Sequence, residues 1–227
     1  MTPMPRRSRK GEKKYYRFVE NFLKRRFGCF VTAQERGTRY GRIDVVGVRD
    51  IGGDLAGDVE LIAVEVKAGN QPFSKAVGQA YSYSVCAERC YLADFRPGPR
   101  PYELGEIDIA SKLGVGLLAI RRNGSISEIL ASPMNDPLVP MRSVLIENLN
   151  YARCVFCGSF FRIGEDDEPW KYVSGRAQKA LEDGLGYGFY LADVGERKSG
   201  KRIYIHEHRY ICSDCVEVLF HEMSPEE

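Results

Sequence analysis

Hydrophobic residues recur with helical or strand spacing along the first 130 residues. Helical spacing predicts a helix over Glu12 to Phe27. The remaining elements are predicted from alternation, β-branched runs and breaker residues. They are strands Phe30–Ala33, Ile43–Val48 and Val59–Lys67, a helix over about Phe73–Glu88, strand Cys90–Ala93, helix Glu106–Leu113, and strands Val115–Ile120 and Ile126–Leu130. This order predicts an α/β fold in which a mixed sheet is flanked by helices on both sides.

Proline and cysteine positions divide the rest of the chain. Three prolines between Ser132 and Pro140 indicate a boundary. We therefore predict four regions. They are a basic flexible arm (1–11), a first domain (12–132), a linker (133–150) and a small α+β domain (151–227) with a helix over Ser174–Asp183 and strands Gly188–Val194 and Arg202–Tyr210.

The central predicted strand, Val59 to Lys67, carries two charges among apolar residues. Side chains alternate across a strand, so Glu65 and Lys67 project from the same face. An unpaired charge is costly in a central strand, which indicates an ion-pair partner, a wet cleft or a metal. The alternative is a strand end that reaches solvent, with both side chains hydrated.

Composition limits the class of protein and its partners. With 227 residues, 44% hydrophobic and 28% charged, the chain has the composition of a soluble globular protein. No apolar run approaches the ~20 residues of a membrane span, and no signal core follows the N-terminus, so a cytoplasmic protein without a membrane partner is expected. Residues 1–42 hold 13 Lys/Arg against 3 Asp/Glu. This basic end suits attraction to nucleic-acid phosphates, or serves as a solubilising arm.

Seven cysteines argue against a fully paired disulfide framework. Cys154/Cys157 and Cys212/Cys215 form two C-x-x-C pairs, a spacing typical of a structural Zn²⁺ site with four thiolate ligands. Cys86 and Cys90 are interpreted as small core residues or, less simply, as a redox pair.

Acidic residues on two neighbouring strands are expected to converge. If the strand of Asp44 pairs antiparallel with that of Glu65 and Lys67, the start of the first lies beside the end of the second. Two carboxylates with a carbonyl and waters are ligands that Mg²⁺ accepts. Lys67 would then hold an attacking water and stabilise charge on a phosphate. This is the equipment for phosphodiester hydrolysis.

These residues resemble the PD-(D/E)XK nuclease superfamily, which includes restriction endonucleases, Holliday-junction resolvases and Mrr-like enzymes. The resemblance covers Glu12 to about Ser132. It rests on Gly41-Arg42-Ile43-Asp44-Val45, Glu65-Val66-Lys67 and the helix Lys75 to Tyr81, with Ile43 standing where the motif has proline. The resemblance implies a restriction-endonuclease-like fold with Asp44 and Glu65 on Mg²⁺ or Mn²⁺ and Lys67 as the catalytic lysine. It further implies that Glu20 adds to the metal site and that Gln79 supports it.

The implied activity is that of an endonuclease on DNA, in host defence or branched-DNA processing, with a homodimer as a possible assembly. Arg36, Arg39 and Arg42 flank the site and would grip phosphates, or form a solvated basic loop. The alternative from another class is a non-catalytic nucleic-acid-binding or assembly protein that keeps the nuclease fold as a scaffold.

The second domain resembles treble-clef zinc domains, because a knuckle at Cys154–Gly158 precedes a hairpin and a ligand-bearing segment at Cys212–Cys215. We interpret it as a DNA-reading or partner-docking module. His206-Glu207-His208 raises the alternative of an HNH-type active site, although the further pattern for that chemistry is not apparent. His206, His208 and His221 are alternative ligands that four cysteines make unnecessary.

Overall fold

The computed structural model describes residues 9–38, 41–52, 58–154, 156–162, 192–196, 202–206, 212, 214, 215 and 218. The chain divides into two compact units, residues 1–149 and 150–227. Within the described part of the chain, no helix combines the length and apolarity needed to cross a membrane.

A six-stranded mixed sheet forms the first unit, with strands in the order β1-β2-β3-β4-β5-β6. The strands are β1 (Val31–Thr38), β2 (Gly41–Asp50), β3 (Val59–Lys67), β4 (Arg89–Phe95), β5 (Gly116–Ile120) and β6 (Ile126–Leu130). Pairings β3–β4 and β4–β5 are parallel, and the others are antiparallel. The predicted mixed α/β architecture is confirmed. Strand β3 is central and buried along its whole length.

Helices cover both faces of the sheet. They are α1 (Arg9–Phe27), α2 (Phe73–Tyr81), followed by a 3₁₀ helix (Ser82–Val85), α3 (Leu104–Leu113) and α4 (Val139–Asn148). Tyr16, Val19 and Leu23 of α1 pack on one face, against valines and isoleucines of β2 and β3. Helices α2 and α3 carry the two parallel crossovers and pack on the other face. Because side chains alternate along β3, its two faces enter two separate cores.

A glycine in β2 allows α1 to approach the sheet closely. A Cβ on Gly47 would lie 2.8 Å from Cys29 Sγ and 3.1 Å from a methyl carbon of Leu23. Any larger residue would therefore push the end of α1 away from β2. The inward face of α1, which carries Glu12 and Tyr16, is held at a fixed height above the strands.

The segment predicted as a linker, residues 133–150, carries helix α4 and belongs to the first unit. Arg142 pairs with Glu88 and lies 3.5 Å from Asp58, and Asn135 donates to the Glu88 carbonyl. The prediction of a linker here is wrong because the prolines only delimit the helix, with Pro140 in its first turn, where proline is favourable.

Within the second unit, β7 (Tyr151–Arg153) pairs antiparallel with β8 (Phe160–Arg162), and β9 (Ala192–Glu196) pairs with β10 (Arg202–His206). The predicted helix Ser174–Asp183, as well as His208 and His221, lies outside the described residues. Most of the predicted arm, residues 1–11, also lies outside the described residues. Helix α1 begins inside the predicted arm, at Arg9.

Candidate active site and cysteine cluster

Strands β2 and β3 separate at Asp44, which creates the site. Val45 opposite Val64 is the terminal pair of their ladder on this side. Beyond this pair, the Val66 N–H of β3 donates to Asp44 Oδ2 at 3.0 Å and not to a backbone carbonyl of β2. The Asp44 carboxylate is therefore inserted where the strands diverge, and Glu65 is its next cross-strand neighbour. We call this place the fork.

The charged pair of β3 is buried at the fork. Glu65 and Lys67 are each only 4% exposed, and the Lys67 ammonium donates to Glu65 Oε1. The alternative of two hydrated side chains at a strand end is therefore excluded. Burying this pair is costly unless its remaining hydrogen-bonding capacity is used, which directs attention to the groups around it.

Glu12 of α1 is the further acidic residue at the fork. Its side chain is buried, and Glu12 Oε1 lies 3.8 Å from Lys67 Nζ. Gln71, in the turn after β3, donates to the same oxygen at 3.4 Å. The side-chain amide oxygen of Gln71, Oε1, is buried and has no hydrogen-bond partner among the described residues. Such an orphaned acceptor is costly unless a cation or water satisfies it.

Two tyrosines orient the carboxylates. Tyr16 donates to Asp44 Oδ1 at 2.7 Å, and Tyr83 of the 3₁₀ helix contacts Glu65 Oε2. The Tyr83 hydroxyl also lies 3.0 Å from the Arg42 carbonyl. Each of these carboxylate oxygens accepts one hydrogen bond, and each retains a free lone-pair direction. The carboxylates are thus held in place without being saturated.

The fork has an excess of negative charge. Burial, followed by the charge of Asp44, raises the pKa of Glu65, and the Lys67 and Tyr83 contacts only oppose this rise. Burial and the neighbouring carboxylates also raise the pKa values of Tyr16 and Tyr83, so both remain neutral donors. Three carboxylates, those of Glu12, Asp44 and Glu65, accompany one ammonium at the fork, and Glu12 and Glu65 are the two within 4 Å of it. This excess of negative charge favours an additional cation.

Strand β1 contributes a strained residue beside the fork. Glu35 has a φ of +52°, and the pairs Gln34–Val45 and Arg36–Ile43 flank it, so it faces Asp44 across the ladder. Its carboxylate lies 2.7 Å from Lys13 Nζ and 3.1 Å from an Arg42 guanidinium nitrogen. Left-handed backbone at a non-glycine residue costs about 1 to 3 kcal/mol and is concentrated at functional sites.

Two of the predicted supporting residues make no hydrogen bond or ion pair with the fork carboxylates within the described part of the chain. Glu20 accepts a hydrogen bond of 2.6 Å from Gln34 on an exposed part of α1, and Glu12, two turns earlier, contacts Lys67 instead. Gln79 is exposed on α2, and Gln71 is the glutamine next to Glu12. The roles expected of Glu20 and Gln79 stay predictions. Arg36 and Arg42 are exposed, and Arg39 lies outside the described residues.

An apolar cavity of about 360 Å³ opens beside the fork. Tyr83 forms part of its wall and connects it to Glu65, and Gly41, Val85, Leu138 and Met141 form other parts. Its size would admit a group as large as a nucleobase, although its walls offer few polar atoms for specific recognition.

The four cysteines of the second unit form a compact cluster. The sulfurs of Cys154, Cys157, Cys212 and Cys215 all lie within 4.8 Å of one another, and all four thiols are free. The Cys157 and Cys212 sulfurs are 3.6 Å apart. Tetrahedral thiolates at about 2.3 Å from Zn²⁺ lie about 3.8 Å apart, so this spacing suits that ion. The cluster could therefore hold a metal.

A tight turn between β7 and β8 presents the first cysteine pair. Gly158 has a φ of +74°, its N–H donates to the Cys154 carbonyl at 3.0 Å, and the Cys154 N–H donates to the Ser159 carbonyl at 2.8 Å. Hydrogen bonds with Ser159 lower the pKa of the Cys157 thiol to about 6. The Cys212 N–H lies 3.4 Å from Cys154 Sγ. Backbone N–H groups directed at sulfur orient and stabilise thiolate ligands.

The fork is a looser arrangement than the cysteine cluster. The four cysteine sulfurs all lie within 4.8 Å of one another. Within the described part of the chain, the carboxylates of the fork do not come together as closely as this. Lys67 contacts both Glu12 and Glu65 and occupies part of the space between them.

Comparison with known proteins adds little to this geometry. No protein-family model matches the chain, and no curated protein matches it. Among solved structures, it is similar to a protein of unknown function from Silicibacter pomeroyi, with 17% identity over 79% of this chain and 94% of that chain. The TM-score is 0.39, so this similarity carries no argument about function.

Proposed function

We propose that the first unit hydrolyses phosphodiester bonds in DNA with the help of Mg²⁺ or Mn²⁺, as the PD-(D/E)XK nucleases that its motifs resemble do. The observation that carries this proposal is the buried pair of Glu65 and Lys67 beside Asp44 at the fork. A central strand gains no stability from such a pair over apolar residues, so its presence calls for a chemical reason.

The donor set at the fork fits a hard divalent cation. Asp44 and Glu65 supply carboxylate oxygens with free lone pairs, and Glu12 adds a third carboxylate. The side-chain amide oxygen of Gln71 is a buried acceptor in need of a partner. Oxygen ligands of this kind suit Mg²⁺ and Mn²⁺ rather than softer metals. When bound, such a cation polarises a phosphate oxygen and lowers the pKa of a bound water.

The protein's own groups would prepare the site for a phosphate. The Lys67 ammonium neutralises charge that develops on the phosphoryl oxygens and orients the attacking water. Tyr16 and Tyr83 hold the carboxylates of Asp44 and Glu65 in fixed orientations, so that binding requires little rearrangement. The low exposure of the pair strengthens each of these interactions, because the local dielectric constant is low.

For the second unit, the proposal is a structural Zn²⁺ site formed by its four cysteines. Four thiolate ligands close the coordination sphere and leave no position for a substrate, which is the pattern of structural zinc. On this proposal the metal stabilises the turn between β7 and β8 against Cys212 and Cys215, and the unit reads DNA or docks a partner.

Nicking of supercoiled plasmid in Mg²⁺ or Mn²⁺ tests the nuclease directly. Wild type is expected to convert the substrate to open circles, and Asp44→Asn and Lys67→Ala are each expected to lose at least about a hundredfold in rate. The matched controls Asp108→Asn and Lys75→Ala change exposed residues of α3 and α2 and should cut like wild type. An inactive wild type that still binds DNA would instead support the non-catalytic scaffold.

A further inference from the structure

Helix α1 presents a strongly basic outer surface. Lys14, Arg17, Lys24 and Arg25 are all exposed. At 3.6 residues per turn, Lys14, Arg17 and Arg25 lie within an arc of about 80°, and Lys24 flanks them. They extend about 16 Å along the helix axis. This surface is the opposite side of α1 from the fork.

The acidic residues of α1 offset only part of this charge. Glu12 and Glu20 are the acidic residues of the helix. Glu12 is buried at the fork, and Glu20 is bound to Gln34. Arg17, Lys24 and Arg25 form no ion pair with the described residues, and Lys14 lies 4.8 Å from the centre of the Tyr15 ring. The outer surface therefore carries an excess of positive charge, because Glu20, three residues from Arg17 and four from Lys24, is the one carboxylate of the helix beside it.

A second element extends the same surface. Phe18, which is 43% exposed, borders this arc of cations on the side away from Lys24, and it covers the turn between β5 and β6. A Cβ on Gly124 of that turn would lie only 2.8 Å from the Phe18 ring, so ring and turn are in direct contact. Arg122, which is exposed, belongs to the same turn, two residues before Gly124. We call Lys14, Arg17, Lys24, Arg25 and Arg122, with Phe18 at its edge, the basic face.

We propose that the basic face binds the phosphate backbone of nucleic acid. This proposal rests on the proposed nuclease function, because that function is the reason for choosing nucleic acid as the polyanion. Duplex DNA carries one phosphate per strand every 3.4 Å along its axis, so the α1 cations span about five phosphates of one strand. Exposed cations that lack carboxylate partners gain most when a polyanion replaces their counterions. The exposed Phe18 ring adds a surface on which an unpaired base can stack.

A membrane surface is a poorer match for the same charges. Helices that bind membranes bury an apolar face in the lipid and keep their cations at its border. The apolar face of α1, with Tyr16, Val19 and Leu23, is already buried against the sheet. Phe18 is the large hydrophobic residue that the outer side of α1 exposes. The basic face therefore has charge for an anionic partner without an apolar surface for lipid.

Fluorescence anisotropy with a labelled 20-base-pair duplex tests this assignment on the full chain. The measurement is made without added divalent cation, so that no cleavage is required. Arg17→Gln/Arg25→Gln should weaken binding by about tenfold at low salt and reduce the slope of log K against log salt by about two, because two phosphate contacts are lost. Arg122→Gln should reduce it by about one.

The control variant is Arg100→Gln/Lys112→Gln, which removes the same charge from exposed positions elsewhere in the first unit. Equal losses in the control and in Arg17→Gln/Arg25→Gln, or no loss in the latter, would overturn the proposal. Tighter binding of the wild type to phosphatidylserine vesicles than to the duplex would overturn it as well. A wild type that cleaves plasmid while the basic-face variants bind normally refutes this surface alone, and a wild type that binds through it without cleaving refutes the nuclease alone.

Discussion

Glu12 and Glu20 are two turns apart on α1, and their environments assign them different roles. Glu12 is buried 3.8 Å from Lys67, whereas Glu20 binds Gln34 at the surface. The signal for Glu12 was present in the sequence, because Glu12 precedes Tyr16, Val19 and Leu23 at helical spacing. This signal is hard to use, because the predicted helix begins at Glu12 and no earlier turn shows on which face of the helix Glu12 lies.

The two glutamates provide a matched comparison. Glu12→Gln is expected to lower the nicking rate by about tenfold or more and to raise the Mg²⁺ concentration required, because groups that support metal ligands typically contribute 10- to 100-fold. Glu20→Gln should stay within about twofold of wild type. Rates measured over a series of Mg²⁺ concentrations check this. Equal effects of the two substitutions would show that α1 contributes no specific group to the fork.

Glu65 makes the stability of the protein depend on pH in an unusual direction. Its pKa is raised above the ordinary value of 4.5, so the folded protein binds this proton more tightly than the unfolded chain does. The free energy of unfolding should therefore fall as pH rises from about 4.5 to the raised pKa. This contribution to stability is present at low pH, and it is lost once Glu65 ionises in the folded protein.

Urea unfolding of wild type and Glu65→Gln across this pH range, without divalent cation, measures the effect. Glu65→Gln cannot ionise, so its stability should lack this decline with pH. Added Mg²⁺ should reduce the decline in wild type, because a bound cation favours the charged carboxylate. Parallel pH profiles of the two proteins would contradict the assigned environment of Glu65.

At the scale of elements, hydrophobic pattern predicted the sheet well. Strand β3 has the predicted bounds, Val59–Lys67. A short, nearly continuous apolar run of this kind is typical of a buried strand. The helix predicted over Phe73–Glu88 instead ends at Tyr81 and continues as a 3₁₀ helix over Ser82–Val85. Serines and β-branched residues are poor helix formers, and this change of geometry carries Tyr83 to Glu65. Periodicity alone could not anticipate that contact.

Helix α4 is attached through the buried side chains of Leu145 and Ile146 and through a polar contact that the sequence does not reveal. Arg142 pairs with Glu88, a carboxylate that is 8% exposed and also accepts the Leu61 N–H at 2.7 Å. Such long-range ion pairs leave no periodic signal in a single sequence. They place α4 on the same sheet that carries the fork.

Replacing Arg142 by alanine should cost about 2 to 3 kcal/mol of stability, because the buried Glu88 carboxylate then loses its charged partner. Arg122→Ala, an exposed arginine, should change stability by less than about 0.5 kcal/mol. Urea unfolding midpoints compare the two variants. If residues 133–148 were a linker, Arg142→Ala would cost no more than Arg122→Ala.

At the scale of the whole molecule, the two units carry different candidate metal sites. Hard carboxylate oxygens line the fork around Lys67, and soft thiolates converge in the second unit. The C-x-x-C spacing predicted the thiolate cluster because these motifs fix two ligands locally. The fork depends on strand pairing and on α1, so only its Asp44, Glu65 and Lys67 could be named from the sequence.

Metal analysis of the purified protein tests the thiolate site. One zinc per chain is expected, and Cys157→Ser or Cys212→Ser should lose it, because three thiolates bind zinc less tightly than four. Cys86→Ala changes a buried thiol of the first unit and should retain the zinc. Full zinc content in Cys157→Ser, or none in wild type, would argue against the assignment.

The binding of Mn²⁺ to the fork is the most direct test of the central claim. Electron paramagnetic resonance of zinc-saturated protein counts free and bound Mn²⁺ without requiring a substrate. We expect a Mn²⁺ site whose affinity falls by at least about tenfold in Asp44→Asn and stays unchanged in Asp108→Asn. Absence of Mn²⁺ binding by wild type, or equal binding by Asp44→Asn, would contradict the account.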